Sequence, residues 1–175
     1  MDIKKEDLKV LYSSEQIQKR VKELAQELNN FYKGEEVIAV CALKGAFMFA
    51  SDLVRYLDMP IKIEFIRLSS YGSSTISSGK VNAVDIKLPD LNNKNVLIVE
   101  DIIDTGLTAK FLIDFMNMNF HVKSLKFCSF LDKKVTRKVN VDADYYGFEV
   151  DDKFVVGYGL DYDECYRNLP YIGHI

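Results

Sequence analysis

The chain has little of several things that would place it in a specialised class. It has three cysteines, Cys41, Cys128 and Cys165, an odd number, widely spaced and in or near apolar runs. That excludes a disulfide framework and a zinc-ligand pattern. Its apolar runs all break well before the ~18 residues that a membrane span needs, so no membrane partner is expected. The first residues, MDIKKEDLKVL, alternate in charge and lack the apolar core of a signal peptide. Positive charge is not in excess: 23 Lys and Arg stand against 26 Asp and Glu, a net charge of −3, so no nucleic-acid surface is expected. The two histidines, His121 and His174, are isolated and suggest no function. These shortages point to a soluble, reduced, cytoplasmic protein.

What is present is enough for a folded domain. A chain of 175 residues fits one domain and hides roughly 70% of its unfolded surface on folding. With 48% hydrophobic and 28% charged residues, the composition is that of a globular protein rather than a disordered one.

Between Glu15 and Phe31, the residues Ile17, Val21, Leu24, Leu28 and Phe31 follow one helical face. Ser13 or Ser14 is available as N-cap and Gly34 stands just past the end. Val37–Ala42 is a continuous apolar run, as in a strand covered on both faces. After Leu43-Lys44-Gly45, Ala46 to Leu57 reads as a helix, and Ile61–Phe65 alternates like a half-buried strand. Val81 to Ile86 reads as a returning strand and Val96–Val99 as a second fully apolar one, before a helix from about Leu107 to Met118. Strand-like stretches follow at Val122–Leu131, Tyr145–Val150 and Phe154–Val156, then an irregular tail. Alternating strands and helices predict an α/β fold with a largely parallel sheet in a single domain, 1–175.

Residues 69–80, SSYGSSTISSGK, have little to bury. They read either as a long hairpin connection or as a flexible lid that closes on a substrate.

The densest chemistry lies in Val96-Leu-Ile-Val-Glu-Asp-Ile-Ile-Asp-Thr-Gly-Leu-Thr108. A buried strand runs into Glu100 and Asp101, and Asp104 to Thr108 turns directly into a helix. Ligands of open α/β sheets bind where strand ends meet helix starts, and free N–H groups there attract anions. Thr105 and Thr108 add hydroxyl donors, while Gly106 allows close approach. Yet three acids stand in the same loop, and carboxylates facing a phosphate repel it. They must point at something else: sugar hydroxyls, a cation or a proton to be removed. A ligand with a phosphate, a ribose and a reactive centre meets all three demands. The alternative is an acidic helix start with Asp104 as its cap.

VLIVEDIIDTGLT resembles the phosphoribosyl-diphosphate signature of the type I phosphoribosyltransferases. More narrowly, the chain is similar to the hypoxanthine-guanine phosphoribosyltransferases. Leu43-Lys-Gly45, Ser69-Ser-Tyr-Gly72, the run Asp152 to Asp161 and Tyr166-Arg-Asn-Leu169 carry the likeness from about residue 10 to the C-terminus. The resemblance implies a twisted, largely parallel sheet flanked by helices, with the lid at about 69–80. It also implies a small hood from the N- and C-terminal segments, the purine-binding part lying mainly in 131–175. It implies purine salvage: Mg²⁺-dependent transfer of a phosphoribosyl group from phosphoribosyl diphosphate to N9 of hypoxanthine or guanine. The implied assembly is a homodimer or homotetramer.

Residue by residue, the resemblance puts Glu100 and Asp101 beside the ribose hydroxyls and the metal. Asp104, Thr105, Gly106, Leu107 and Thr108 form the 5′-phosphate cradle, with Asp104 also the acid/base near purine N7. Lys44 and Gly45, after a Leu43–Lys44 peptide that family members hold in cis, lie at the diphosphate with Arg167. Ser70 and Tyr71 belong to the lid. Phe154 stacks on the base, Val155 offers backbone groups to its edge, and Lys133 donates to the 6-oxo group, which disfavours adenine. Asp161 accompanies a second magnesium. Each has a plainer reading from the residues alone: Lys44 as a solvated loop lysine, Arg167 as a surface arginine, Phe154 as core, Asp161 as part of a turn cluster. The sequence departs from the family by carrying Lys134, Ala143 and Asp151 where prolines are common, and Lys133 and Lys134 then compete for the 6-oxo group. Two other functions stay open here, a ligand-sensing regulator without catalysis and an enzyme for another base such as xanthine.

Overall fold

The computed structural model describes residues 7–70 and 81–175. Strand β1 (Lys9–Tyr12) leads into helix α1 (Ser14–Tyr32). Ser13 is its N-cap in a capping box: its hydroxyl accepts from Gln16 N at 3.3 Å, and Gln16 Oε1 accepts from Ser13 N at 2.8 Å. The helix stops at Lys33, whose φ of 52° leaves the helical region. Its inward stripe is Ile17, Val21, Leu24, Leu28 and Tyr32. Phe31, expected on that stripe, is 42% exposed. A four-residue step from Leu28 keeps the face better than a three-residue one at this point, so Tyr32 turns inward. The ring of Phe31 lies under the Lys126 ammonium instead.

Next come β2 (Val37–Leu43), α2 (Phe47–Val54), β3 (Ile61–Ser70), β4 (Val81–Asp85) and β5 (Asn95–Ile103). Then follow α3 (Leu107–Asn119), β6 (Ser124–Asp132), a 3₁₀ turn at Lys134–Thr136, β7 (Tyr145–Glu149), β8 (Val155–Val156) and β9 (Ile172–His174). The main sheet has the order β4-β3-β2-β5-β6-β7. Its five strands β3, β2, β5, β6 and β7 are parallel, and β4 is antiparallel on the edge. A second, antiparallel sheet, β1-β9-β8, joins the two ends of the described chain. Strand β9 falls in the tail read as irregular; at three residues it is too short to show a period. The expected lid, including Tyr71, lies outside the described residues apart from the end of β3.

The aliphatic runs are continuous because both faces of the central strands are covered. Val37 and Cys41 of β2 and Leu97 and Val99 of β5 pack with α1 and α2. The alternate residues Ile38, Val40, Val96 and Ile98 pack with Ala109, Leu112 and Met116 of α3. Strand β3 departs from its expected role. Ile63 and Phe65 are 44% and 53% exposed, while Ile66 is fully buried. With Phe47, Ala50, Val54 and Arg55, Ile63 and Phe65 line an uncovered apolar groove of about 270 Å³.

Along the chain the sheet grows outward in one direction from β2 and in the other from β5. The two neighbours therefore flank the point where strand order reverses, the place where open α/β sheets bind ligands.

Candidate active site

Strand β5 continues to Ile103, beyond the Val99 expected as its last residue, because it keeps pairing in parallel with β6 up to Ile103–Asp132. Glu100 and Asp101 thus stand on a strand rather than a loop, and that pairing fixes their direction. Glu100 is only 7% exposed. Its Oε1 lies 3.2 Å from the Asp101 N–H, whereas its Oε2 is buried with no hydrogen-bond partner. Burial, then the neighbouring Asp101 charge, pushes the Glu100 carboxyl well above the usual carboxylate range. Burial raises Asp101 as well, against the pull of hydrogen bonds and of the Arg167 charge. Behind them the Cys41 thiol is pushed up to about 12 by burial and by these two acids, so it is no nucleophile.

After Ile103 the chain turns through Asp104 and Thr105 to Gly106, whose φ of 84° places it in the left-handed region. Gly106 is the helix N-cap of α3 and offers no capping side chain, so Asp104 is not the cap. Thr105 Oγ1 makes only a long contact of 3.5 Å with Leu107 N. The first N–H groups of α3 are left facing a cleft of about 210 Å³. Glu100, Asp101, Asp104, Thr105, Gly106 and Thr108 all line it, whereas Leu107, the first residue of α3, is not among its lining residues.

The loop after the adjacent strand β2 is pressed against this cleft. The Leu43–Lys44 peptide is cis. A methyl group on Gly45 would stand 1.6 Å from Asp101 Oδ2, so only glycine fits beside that carboxylate. On its other side the Gly45 carbonyl faces Gly159, where an added Cβ would be 2.0 Å from that oxygen. The C-terminal segment is thereby seated on the β2 loop. Arg167 donates to Gly159 O at 2.7 Å and pairs with Asp161 at 2.8 Å and Glu164 at 3.4 Å. Lys44 pairs with the same Glu164 carboxylate. Two cations distant in sequence therefore converge on one carboxylate.

Lys133 and Lys134 take opposite environments. Lys133 is 9% exposed, its N–H bonded to Ile103 O at 2.9 Å and its ammonium 2.9 Å from Asp152. Lys134 is exposed, pairs with Glu149 at 3.1 Å and sits over the Tyr146 ring. Phe154, a core candidate by composition, is 52% exposed and meets Tyr162 edge-on; Val155 next to it is buried in β8. Asp161 is held by Arg167 and by the Glu164 N–H. Among the described residues no group of three or more acids, histidines or cysteines could hold a metal alone, so Asp161 does not join Glu100 and Asp101 in a cluster.

Three residues of this region gave no sequence signal. Thr136 hydrogen-bonds to the Asp104 carboxylate. Arg137 reaches the Asp104 carbonyl at 3.2 Å, the Val141 carbonyl and the buried Asp132. Glu164, which belongs to no motif, pairs with both Lys44 and Arg167. Their partners are remote in sequence, and no local pattern marks such a contact.

The phosphoribosyl transferase domain model matches residues 8–163. The hypoxanthine-guanine phosphoribosyltransferase of Aquifex aeolicus is 50% identical over 170 residues, covering 97% of this chain and 95% of that one. The enzyme of the same name from Bacillus subtilis is 48% identical over 165 residues, covering 94% of this chain and 91% of the other. The chain belongs to the hypoxanthine-guanine phosphoribosyltransferases. A solved structure of that enzyme from Bacillus anthracis superposes with a TM-score of 0.90 at 46% identity, covering 99% of each chain. The type I phosphoribosyltransferase fold expected from the sequence is thus the fold of this chain. The end of β5, the β2 loop and the C-terminal segment lie against one another, through Gly45 beside Asp101 and Gly159 beside the Gly45 carbonyl.

Proposed function

We propose that the protein transfers the 5-phosphoribosyl group of phosphoribosyl diphosphate to N9 of hypoxanthine or guanine, releasing diphosphate, with Mg²⁺ as cofactor. The observation that carries this reading is the cleft at the end of β5, where uncapped helix N–H groups and two threonines stand beside three acids. One part suits an anion, the other a polyol or a cation, and the substrate has both.

Magnesium fits the donor set. The partnerless, buried Oε2 of Glu100 beside Asp101 suits a hard cation, which these two residues would hold. With no third acid joining, the ion would complete its shell from substrate oxygens and water. When bound, it supplies positive charge to the diphosphate.

The chain's own residues would act as follows. Thr105 to Thr108 hold the 5′-phosphate through N–H and hydroxyl donors. Lys44 and Arg167, now bridged by Glu164, turn their charge to the diphosphate as it leaves. Asp104 takes the proton from purine N7 as N9 bonds to the sugar. Lys133, drawn inward where Lys134 faces out, donates to the 6-oxo group; Phe154 presents its ring and Val155 its backbone to the base. Asp161 orients Arg167, and any contact with a second magnesium would add to that. Ser70 and Tyr71 would cover the diphosphate when the lid closes.

The apolar groove of Phe47, Ile63 and Phe65 supports self-association as a dimer or tetramer. Among the described residues no helix is long and apolar enough to cross a membrane. The free cysteines suit a reducing, cytoplasmic setting.

An isotope-transfer assay with hypoxanthine, guanine, xanthine and adenine, run with and without Mg²⁺, tests the proposal. Nucleotide is expected from hypoxanthine or guanine only, and only with the metal. Turnover of adenine, or of no base, would refute it.

A further inference from the structure

Asp104 lines the cleft and is exposed. Its orientation cannot come from packing. Among the described residues one side chain hydrogen-bonds to it: the hydroxyl of Thr136, on Oδ1. That hydroxyl also lies 3.1 Å from the Lys133 carbonyl. A hydroxyl has one hydrogen to give, and an ionised carboxylate is a stronger acceptor than a peptide carbonyl. The hydrogen therefore goes to Asp104.

Thr136 is itself firmly placed. It ends the 3₁₀ turn Lys134–Thr136, and the chain on both sides is tied to the Asp104 loop. Before the turn, the Lys133 N–H bonds to Ile103 O at 2.9 Å. After it, the Arg137 Nε donates to Asp104 O at 3.2 Å, and Lys138 N donates to Thr105 O at 2.9 Å. The far end of Arg137 is anchored on buried Asp132. The segment 133–138 is a brace along the outside of the loop, and Thr136 is the point where it reaches the carboxylate.

We propose that Thr136 is the positioning residue for the proton acceptor of the reaction, holding Asp104 Oδ1 so that Oδ2 is presented to purine N7. The proposal rests on reading Asp104 as that acceptor. As N9 bonds to the sugar, the N7–H bond breaks and its proton lands on Oδ2. Oδ1, now the carbonyl oxygen of a neutral acid, keeps the Thr136 hydrogen. Nothing in the brace has to move during transfer, so the geometry is set before the reaction. The same turn carries Lys133, so the residue assigned to the 6-oxo edge and the acceptor at N7 are positioned by one short piece of backbone.

Steady-state kinetics of Thr136→Val, Thr136→Ser and Asp104→Asn, with hypoxanthine, phosphoribosyl diphosphate and Mg²⁺, test the proposal. Valine keeps the β-branched shape and removes the hydroxyl; serine restores the hydroxyl. Thr136→Val is expected to lower kcat about 10-fold, with KM for phosphoribosyl diphosphate within about twofold of the parent. Thr136→Ser should recover most of that loss, and Asp104→Asn should lose at least about 100-fold in kcat. If Thr136→Val keeps parental kcat while Asp104→Asn is impaired, the brace is wrong and the acceptor stands. If Thr136→Ser falls as far as Thr136→Val, or KM for phosphoribosyl diphosphate rises in step with the loss, Thr136 is merely structural. If Asp104→Asn is as active as the parent, the assignment of the acceptor fails, and the role of Thr136 with it.

Discussion

Helices α1 and α3 begin in opposite ways. At α1 a serine and a glutamine satisfy the terminal N–H groups reciprocally, so the helix start is finished from within. At α3 the cap is a glycine with no side chain to offer, and the N–H groups face a cleft rimmed with hydroxyls and acids. The strand feeding α3 shows the same incompleteness, since Glu100 keeps a buried carboxylate oxygen without a partner. A helix start that only has to be stable is closed locally. The start of α3, left open, keeps donors free for the ligand proposed above, which would offset the lost capping.

The largest effect should come from closing the open end. Gly106→Ala forces an L residue to φ 84°, with its Cβ 2.7 Å from Arg137 Cδ and Val141 Cγ1. Displacing this turn by even ~1 Å should cost about 100-fold in kcat/KM for phosphoribosyl diphosphate, read by steady-state kinetics. Unchanged kinetics would mean that the α3 start is not the phosphate cradle.

A smaller, opposite effect on stability is expected at Glu100. Its carboxyl is raised, so the folded state holds the proton more tightly than the unfolded chain does. Stability of the ligand-free protein is therefore complete below the ordinary carboxylate range and falls as pH rises toward the raised value. Glu100→Gln removes that loss and should stabilise the protein by about 1–2 kcal/mol at pH 8, less at pH 5, in denaturant titrations without Mg²⁺. The same variant should weaken the magnesium dependence of activity. A destabilised variant at pH 8 would count against a partnerless Glu100 Oε2.

The smallest effect belongs to the closed end. Ser13→Ala should lower stability by about 1 kcal/mol and leave kcat and KM untouched. A kinetic effect there would break the contrast between the two helices.

Much of the frame is legible in the sequence. The spacing of Ile17, Val21, Leu24 and Leu28 identifies α1, and the aliphatic runs of β2 and β5 mark strands buried on both faces. The coincidence of three acids with Gly106, Thr105 and Thr108 marks the cleft. Where the reading failed, the missing information was non-local. Strict alternation in Ile61–Phe65 describes one face of a strand correctly but does not say which face is covered; here Ile66 lies inside and Phe65 outside. Phe31 and Tyr32 are both aromatic, and only the packing of α1 decides between them. Strands β1 and β9 are too short to signal themselves and exist because they pair with each other.

The local elements follow from residues close together in the chain, because helix period, strand burial and the chemistry of a turn act within a few residues. Tertiary structure alone decided which distant groups meet: Gly45 against Asp101, Lys44 and Arg167 on Glu164, Thr136 on Asp104. The parallel sheet brings them together. Its crossovers carry the chain back so that successive strands end on the same side, gathering loops remote in sequence, and the order of those strands is set by packing that local periodicity does not encode.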